Sequence, residues 1–199
     1  DAADPGSAEE PVPDFASGFA AGLKGLRIGV IRHFYAEDLI ADAEMTAAIE
    51  AAVNTLADLG AEIQEVAVRP LADYAACNRI IMLSESCSIH EKWLVERTEE
   101  YGASLLSRLL PGTAIRGMDY VQATRTRARY ASEFNALFAD LDAIVTVNNM
   151  EPAFPIEDPV AREKYYPRQA RTPFNVTGNP ALAVPAGFSS SGLPLSIQV

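Results

Sequence analysis

Two cysteines and two histidines are the residues whose types suggest thiol or metal chemistry. Cys77 and Cys87 fall in one predicted helix, ten residues apart, and a rise of about 1.5 Å per residue separates them by roughly 15 Å along the axis. A disulfide requires Cα atoms within about 7 Å of each other, so we expect free thiols, buried as small apolar side chains. His33 and His90 do not join them at the spacing of a zinc site, and no metal site is predicted.

Charged side chains on the predicted helices are the next candidates. Glu85 lies between two serines on the helix predicted for 72–98. A polar group on a mostly apolar face is more often a solvated edge or a bonded core partner than a catalytic group. Arg125, Arg127 and Arg129 spread around the following helix, which indicates solvated pairs with acids rather than a polyanion site.

Composition and charge limit the classes of partner. The chain of 199 residues has 49% hydrophobic residues, enough to bury a sizeable core. Its 16 basic and 27 acidic residues leave a formal charge of −11, which opposes generic binding to nucleic acid or anionic membranes. No apolar stretch reaches the roughly 18 residues of a spanning helix, and no leader pattern is present. We expect no cofactor, no direct nucleic-acid partner, no membrane contact and a cytoplasmic location.

The first elements that must position any site form a strand, a helix and a second strand. The apolar run at 26–31 predicts a strand, and 42–60 carries the clearest helix pattern, with Asp42 as N-cap and Gly60 as the stop. The β-branched run at 61–68 predicts the returning strand, so the unit indicates a parallel crossover. No glycine loop follows the first strand, and a nucleotide site is therefore not expected.

The later pattern places a long loop between core elements. Helices are predicted at 72–98 and 119–140, followed by a buried strand at 142–147. From 148 to 172 the pattern becomes a loop with four prolines. Unstructured connections of this length are usually functional or mobile, so this loop is the best pocket-lining candidate on local grounds. A merely tolerated insertion is the open alternative.

The closing block predicts a short helical turn and two strands. Pro173 and Pro180 bracket a turn in which Gly178 takes a positive φ, and apolar runs follow at 181–184 and 193–199. The residues between these runs are typical of a hairpin loop. Strands this apolar are normally interior, where neighbours on both sides satisfy the backbone groups.

This closing block resembles the late core of the amidase signature family, serine hydrolases that cleave carboxamide C–N bonds with a Ser, cis-Ser, Lys triad. Weaker similarity extends along the chain. The matching segments are Asp4-Pro5, Leu23-Lys24-Gly25-Leu26-Arg27-Ile28-Gly29-Val30, Leu83-Ser84-Glu85, Tyr120 with Arg127, Asp142-Ala143-Ile144-Val145 and Arg171-Thr172-Pro173-Phe174-Asn175-Val176-Thr177-Gly178-Asn179-Pro180-Ala181 with its continuation. The resemblance implies an α/β fold with a large, mixed, twisted sheet flanked by helices on both faces.

The resemblance covers about the C-terminal two-fifths of such enzymes. We therefore expect 1–22 to be a linker, 23–199 to be the C-terminal part of an amidase domain truncated at both ends, and the sheet to be incomplete. In the family, a neutral lysine activates the serine through a loop rich in glycine and serine. None of Lys24, Lys92 and Lys164 has such a loop to serve. The run 189–192 falls where the family has a simple hairpin turn, so no catalytic residue is predicted and the chain alone is expected to be inactive.

Three residues are predicted to contact substrate. By position, Arg108 and Asn175 match places where family members line or brace the pocket. A close relative, the A subunit of the tRNA-dependent amidotransferases, holds the amino group of glutamine with an acidic residue, where this chain has Arg168. A cation cannot hold an ammonium group. The sequence therefore favours an amidase acting on another small-molecule amide, one with a carboxylate that Arg168 meets.

Two alternatives and one assembly question stay open. The chain is otherwise a fragment of the A subunit of a glutamine-dependent tRNA amidotransferase, or a non-catalytic α/β interaction module. A homodimer of the full-length parent is a further open expectation.

Overall fold

The computed structural model describes residues 3, 4, 7 and 10–199. The linker predicted for 1–22 lies partly outside the described residues, and so does the Pro5 of the Asp4-Pro5 match. Residues 10–22 are exposed throughout and contain one short 3-10 helix, Phe19–Ala21. The boundary between linker and domain stays a prediction.

Five strands of the described residues form one mixed sheet, which confirms the predicted fold class. The strands are β1 (Arg27–Val30), β2 (Glu62–Glu65), β3 (Ala143–Val147), β4 (Ala183–Phe188) and β5 (Pro194–Gln198). Their order in the sheet is β2-β1-β3-β5-β4. β1 runs parallel to β2 and β3, whereas β5 runs antiparallel to β3 and β4.

In the part of the chain that the structure describes, six α-helices accompany the sheet. They are α1 (Ala43–Asp58), α2 (Leu71–Glu96), α3 (Ala103–Leu109), α4 (Gly117–Asn135), α5 (Pro159–Tyr165) and α6 (Thr172–Thr177). Shorter helical turns lie at Phe34–Asp38, Thr98–Glu100, Leu110–Ala114 and Ala136–Ala139. α1 packs against the strands, while α2, α4 and α6 pack against one another.

The N-terminal crossover has the predicted form. Asp42 caps α1 by accepting a hydrogen bond from the Glu44 backbone N–H at 2.8 Å. Met45 and Ile49 are buried against the sheet. Leu59 lies within the helix predicted for 42–60, but it is 58% exposed, because the helix ends at Asp58 and Leu59 already belongs to the turn.

The centre of the core is the parallel pair β1 and β3. Val30, Val145 and Val147 have no exposed surface, and the buried Thr146 hydroxyl donates a hydrogen bond to the Ile31 carbonyl at 3.0 Å. Both faces of β3 are covered, as the continuous apolar sequence of this strand predicts.

Apolar residues recur at helical spacing along α2, but the second half of the helix does not bury them. Tyr74 and Ile81 are buried, but Met82, Ile89 and Trp93 are 50%, 71% and 45% exposed. There the helix is accompanied by α3 and the short helical turns around it rather than by the sheet. Helical spacing alone does not show where neighbouring elements stop burying the apolar face of a helix.

β4 also departs from the expectation of interior strands. β5 lies between β3 and β4, but β4 is the last strand of the sheet in the part of the chain that the structure describes. Leu182 and Phe188 at its two ends are 64% and 76% exposed. The apolar residues of β4 thus do not imply neighbours on both sides here.

A close backbone approach fixes the turn after α3 against α2. A Cβ atom at Gly112 would lie 2.5 Å from the Leu83 carbonyl oxygen and 2.5 Å from the Cys87 Sγ atom. Because a backbone carbonyl cannot move aside cheaply, Gly112→Ala is expected to lower the free energy of unfolding by about 1–3 kcal/mol. Urea titration measures this change.

Gly117→Ala is the matched control, since a Cβ at the first residue of α4 would meet nothing within 4 Å. It is expected to leave the free energy of unfolding unchanged, or to raise it by up to about 1 kcal/mol. Equal losses in the two variants would contradict the steric argument.

Candidate functional site

The segment 148–172 is closed at its base into a compact loop. Its two ends pair as an antiparallel bridge between Asn149 and Gln169. The Met150 N–H donates to the Arg168 carbonyl, and the Ala170 N–H donates to the Asn148 carbonyl, each at 3.0 Å. The loop therefore starts and ends beside the sheet, directly after β3 and directly before α6.

The loop has structure of its own, so the prediction of an unstructured connection over 148–172 is wrong in this respect. It contains α5, whose first turn is capped by the Asp158 carboxylate, which accepts hydrogen bonds from the N–H groups of Val160 and Ala161. Pro159 occupies the first helical position. An N-cap aspartate followed by proline is a recognised start signal, so this helix was detectable from the sequence.

A cavity of about 220 Å³ lies between this loop, α1 and β5. The loop contributes most of the lining, as the sequence analysis predicted for 148–172. The lining residues are Met45, Asn149, Glu151, Pro152, Ala153, Phe154, Tyr165, Tyr166, Arg171, Pro194, Leu195 and Ser196. We call this cavity the loop pocket; its lining combines aromatic and apolar side chains with polar groups in about equal measure.

Arg168 is engaged with the protein itself. Its Nε atom forms an ion pair with the Glu151 Oε1 atom, and its Nη2 atom donates to the Ile40 carbonyl at 2.5 Å. The side chains of Arg168 and Glu151 are 29% and 17% exposed. Arg168 thus reaches the loop pocket through Glu151, which lines it, and its contact with substrate stays a prediction.

Arg108 and Asn175 lie in different surroundings. Arg108 is in the last turn of α3, and its guanidinium carbon lies 5.8 Å from the centre of the Tyr166 ring, which lines the loop pocket. Asn175 is exposed on α6 and does not line the loop pocket. Two of the three predicted substrate residues therefore contact the wall of one pocket, and the third does not.

Arg127 fixes α6 rather than forming the solvated acid pair that was expected. Its Nε atom donates to the Val176 carbonyl at 3.0 Å. Beyond the helix, the Asn179 side-chain amide donates to the Asn135 side chain at 2.9 Å, and Gly178 ends α6 with a φ of 80°. α4 thereby holds the first part of the block that carries the family resemblance.

The serine run lies in the β4–β5 hairpin, with structural partners. The Ser189 and Ser191 hydroxyls are 2.9 Å apart, and the Leu193 N–H donates to the Ser189 hydroxyl at 3.0 Å. Among the described residues, no lysine contacts these hydroxyls: Lys164 bonds to Tyr165 and Lys92 pairs with Glu96. These contacts support a hairpin role for the serines, and the absence of catalytic residues stays a prediction.

The remaining reactive groups have structural surroundings. Cys77 and Cys87 are free thiols, as predicted, and burial raises the pKa of the Cys77 thiol. The described residues bring together no cluster of His, Cys, Asp or Glu that could hold a metal ion. Within the same residues, none of the helices combines the length and apolarity that a membrane crossing requires.

One polar cluster lies under α1, apart from the loop pocket. The buried Tyr35 hydroxyl donates to the Glu50 Oε1 atom at 2.9 Å, and Arg32 forms an ion pair with the same carboxylate. Burial, and then the hydrogen bond to Glu50, raise the pKa of Tyr35. The phenol, protonated at neutral pH like an ordinary tyrosine, serves as a hydrogen-bond donor to Glu50, and the raised pKa extends this role to more alkaline pH.

Comparison with known proteins identifies relatives over the whole chain. The family model described as Amidase matches residues 1–199. An amidase from Pseudomonas putida is 34% identical over 97% of this chain and 43% of its own length. The A subunit of a glutamyl-tRNA(Gln) amidotransferase from Myxococcus xanthus is 28% identical over 100% of this chain and 46% of its own length.

A solved structure shares the fold. The A subunit of the glutamyl-tRNA(Gln) amidotransferase from Thermotoga maritima superimposes with a TM-score of 0.77 and 25% identity, over 100% of this chain and 43% of the other. The chain thus spans less than half of the length of each of these relatives.

Proposed function

The chain belongs to the amidase family, and on that premise we propose that it is the C-terminal part of an enzyme that hydrolyses the C–N bond of a carboxamide. The observation that carries this proposal is the match of the family model to all 199 residues. We place the Ser, cis-Ser, Lys triad outside these residues, in the portion of the relatives that the chain does not span. The chain supplies scaffold and pocket wall.

The size of the loop pocket supports the binding of only part of a substrate. Ligand sites typically have volumes of about 300–1,000 Å³, whereas the loop pocket has about 220 Å³. It accommodates one substituent of an amide rather than the whole substrate. The reacting carbonyl would then lie beyond the pocket.

The three predicted substrate residues have different roles in this proposal. Arg108 braces the pocket through Tyr166, and Arg168 braces it through Glu151. Asn175 is exposed on α6, where it is available to a substrate or to the remainder of the enzyme. A cytoplasmic location and a homodimer of the complete enzyme are part of the same proposal.

A serine-directed fluorophosphonate and a chromogenic amide test where the chemistry resides. The complete protein is expected to turn over the amide and to be labelled on a serine outside these 199 residues, while the isolated chain does neither. In the complete protein, Ser189→Ala and Ser191→Ala are expected to leave labelling unchanged, because both hydroxyls have hairpin partners. Labelling of any serine of this chain, read by mass spectrometry, would overturn the assignment.

The A subunit of a glutamine-dependent amidotransferase is the second candidate, supported by the similarity to the Myxococcus xanthus protein. We prefer an amidase acting on another amide, since Arg168 stands where a glutamine-binding acid is expected by resemblance. A substrate screen of the complete protein separates the two. Glutaminase activity without turnover of any other amide would identify the protein as the amidotransferase subunit.

A further inference from the structure

The charged groups at the loop pocket are unevenly paired. Two charged side chains line it, Glu151 and Arg171. The Glu151 carboxylate is already neutralised by Arg168. Arg171 is exposed and forms no ion pair with any of the described residues. One positive charge at the pocket is therefore left without a protein counter-ion.

A side-chain amide holds this arginine in place. The Gln169 Oε1 atom accepts a hydrogen bond from the Arg171 backbone N–H at 2.5 Å and from its Nε atom at 3.4 Å. The Gln169 Nε2 atom donates to the Thr172 hydroxyl at 2.7 Å. Since Nε is bound on the protein side, the terminal nitrogens of Arg171 remain available to a ligand.

The neighbouring cations add to the same field. Lys164 donates to the Tyr165 hydroxyl at 3.1 Å, and Arg108 lies over the Tyr166 ring; both tyrosines line the pocket. The chain as a whole carries a formal charge of −11, so an excess of positive charge here is local. Such an excess attracts an anion against the overall charge of the protein.

We infer that the loop pocket binds the carboxylate of an amide substrate, with Arg171 as the specificity-determining residue and Gln169 as the residue that positions it. This rests on the proposed amide hydrolysis and deepens it by naming the substrate class. The planar guanidinium matches a carboxylate with two parallel hydrogen bonds. Phe154, Leu195 and Met45 provide apolar contact for the carbon chain or ring that bears the carboxylate.

Matched substrate pairs with the complete protein test the inference. One pair is the 4-nitroanilide of succinic acid and that of 4-methylpentanoic acid, in which an isopropyl group replaces the carboxylate. The other pair is 4-acetamidobenzoate and 4-isopropylacetanilide, which carry the same difference on the amine side. In at least one pair, Arg171→Gln is expected to raise KM for the carboxylate member about 10- to 100-fold. The neutral member changes far less.

Further variants separate charge recognition from general damage. Gln169→Ala is expected to raise KM for the carboxylate member in the same direction, with kcat retained. Arg171→Lys keeps the charge and loses the bidentate geometry, so an intermediate KM is expected. Arg162→Gln, which changes an exposed arginine of α5 outside the pocket lining, is the control and leaves both members unchanged.

A binding measurement keeps the inference testable if no amide is turned over. Calorimetric titration with benzoate and with the neutral acetophenone is expected to show Arg171-dependent binding of benzoate alone. No turnover together with this result would refute the proposed hydrolysis and retain the anion site. Three results would overturn the inference. Arg171→Gln could weaken the binding or turnover of the charged and the neutral compound equally, or the wild type could show no preference for the carboxylate. The loss specific to the carboxylate could also occur in Arg168→Gln instead of Arg171→Gln.

Discussion

Replacing Phe134 by alanine is expected to lower the free energy of unfolding by about 3–5 kcal/mol. Phe134 is 2% exposed on α4, and its ring meets that of Phe174 on α6 edge-on, with the centroids 5.7 Å apart. The substitution leaves a cavity between two helices and removes an aromatic pair. It also loosens α6, the helix that follows directly after Arg171.

Phe138→Ala is the matched control for this prediction. Phe138 lies one turn further along, 6.2 Å from Phe134 between ring centroids, but it is 38% exposed. Its loss is expected to cost less than about 1.5 kcal/mol, because much of its surface already meets solvent. Urea titrations of the two variants measure the difference, and comparable losses would mean that the α4–α6 contact does not organise the core.

Replacing Arg168 by glutamine is expected to lower the free energy of unfolding by about 2–4 kcal/mol. Removal of one partner from a buried ion pair leaves the other charge uncompensated, which typically costs about 3–5 kcal/mol. We reduce that figure because the Arg168 side chain is 29% exposed. The Glu151 Oε2 atom is already buried without a hydrogen-bond partner, so this carboxylate depends on Arg168.

A double-mutant cycle shows whether the cost arises from the pair. Arg168→Gln combined with Glu151→Gln removes both charges and is expected to recover at least about 1 kcal/mol relative to Arg168→Gln alone. Arg162→Gln, which changes an exposed arginine of α5, is expected to stay within about 0.5 kcal/mol of the wild type. Additive effects of Arg168→Gln and Glu151→Gln would show that the ion pair does not carry the stability.

Arg168 and Arg171 have different roles, one in stability and one in substrate binding. Both arginines belong to the segment that leads from the loop into α6, three residues apart in the sequence. Arg168 is an internal counter-ion for Glu151, whereas Arg171 lines the pocket without a carboxylate partner among the described residues. A large stability cost in Arg168→Gln would therefore be compatible with a KM effect confined to Arg171→Gln.

Most secondary-structure elements were predictable because their signals are local. Asp42 as the N-cap of α1 and Gly178 as the end of α6 act within one helical turn of their own position. The buried strand β3 is apparent from four consecutive residues of high strand propensity, 144–147. Part of the site was predictable from local signals as well, since the proline-rich stretch at 148–172 was identified as a pocket-lining candidate from its composition and position.

The sequence by itself thus determined the order of the elements and the family resemblance of the closing block, and it indicated 148–172 as the candidate pocket-lining segment. Only the tertiary structure decided that Arg168 pairs with Glu151, that Arg171 reaches the loop pocket unpaired among the described residues, and that the second half of α2 has an exposed apolar face. The physical reason is the distance along the chain over which each signal acts. Caps, turns and apolar periodicity act over three or four residues, whereas charge pairing and burial depend on which distant segments the closed chain brings together.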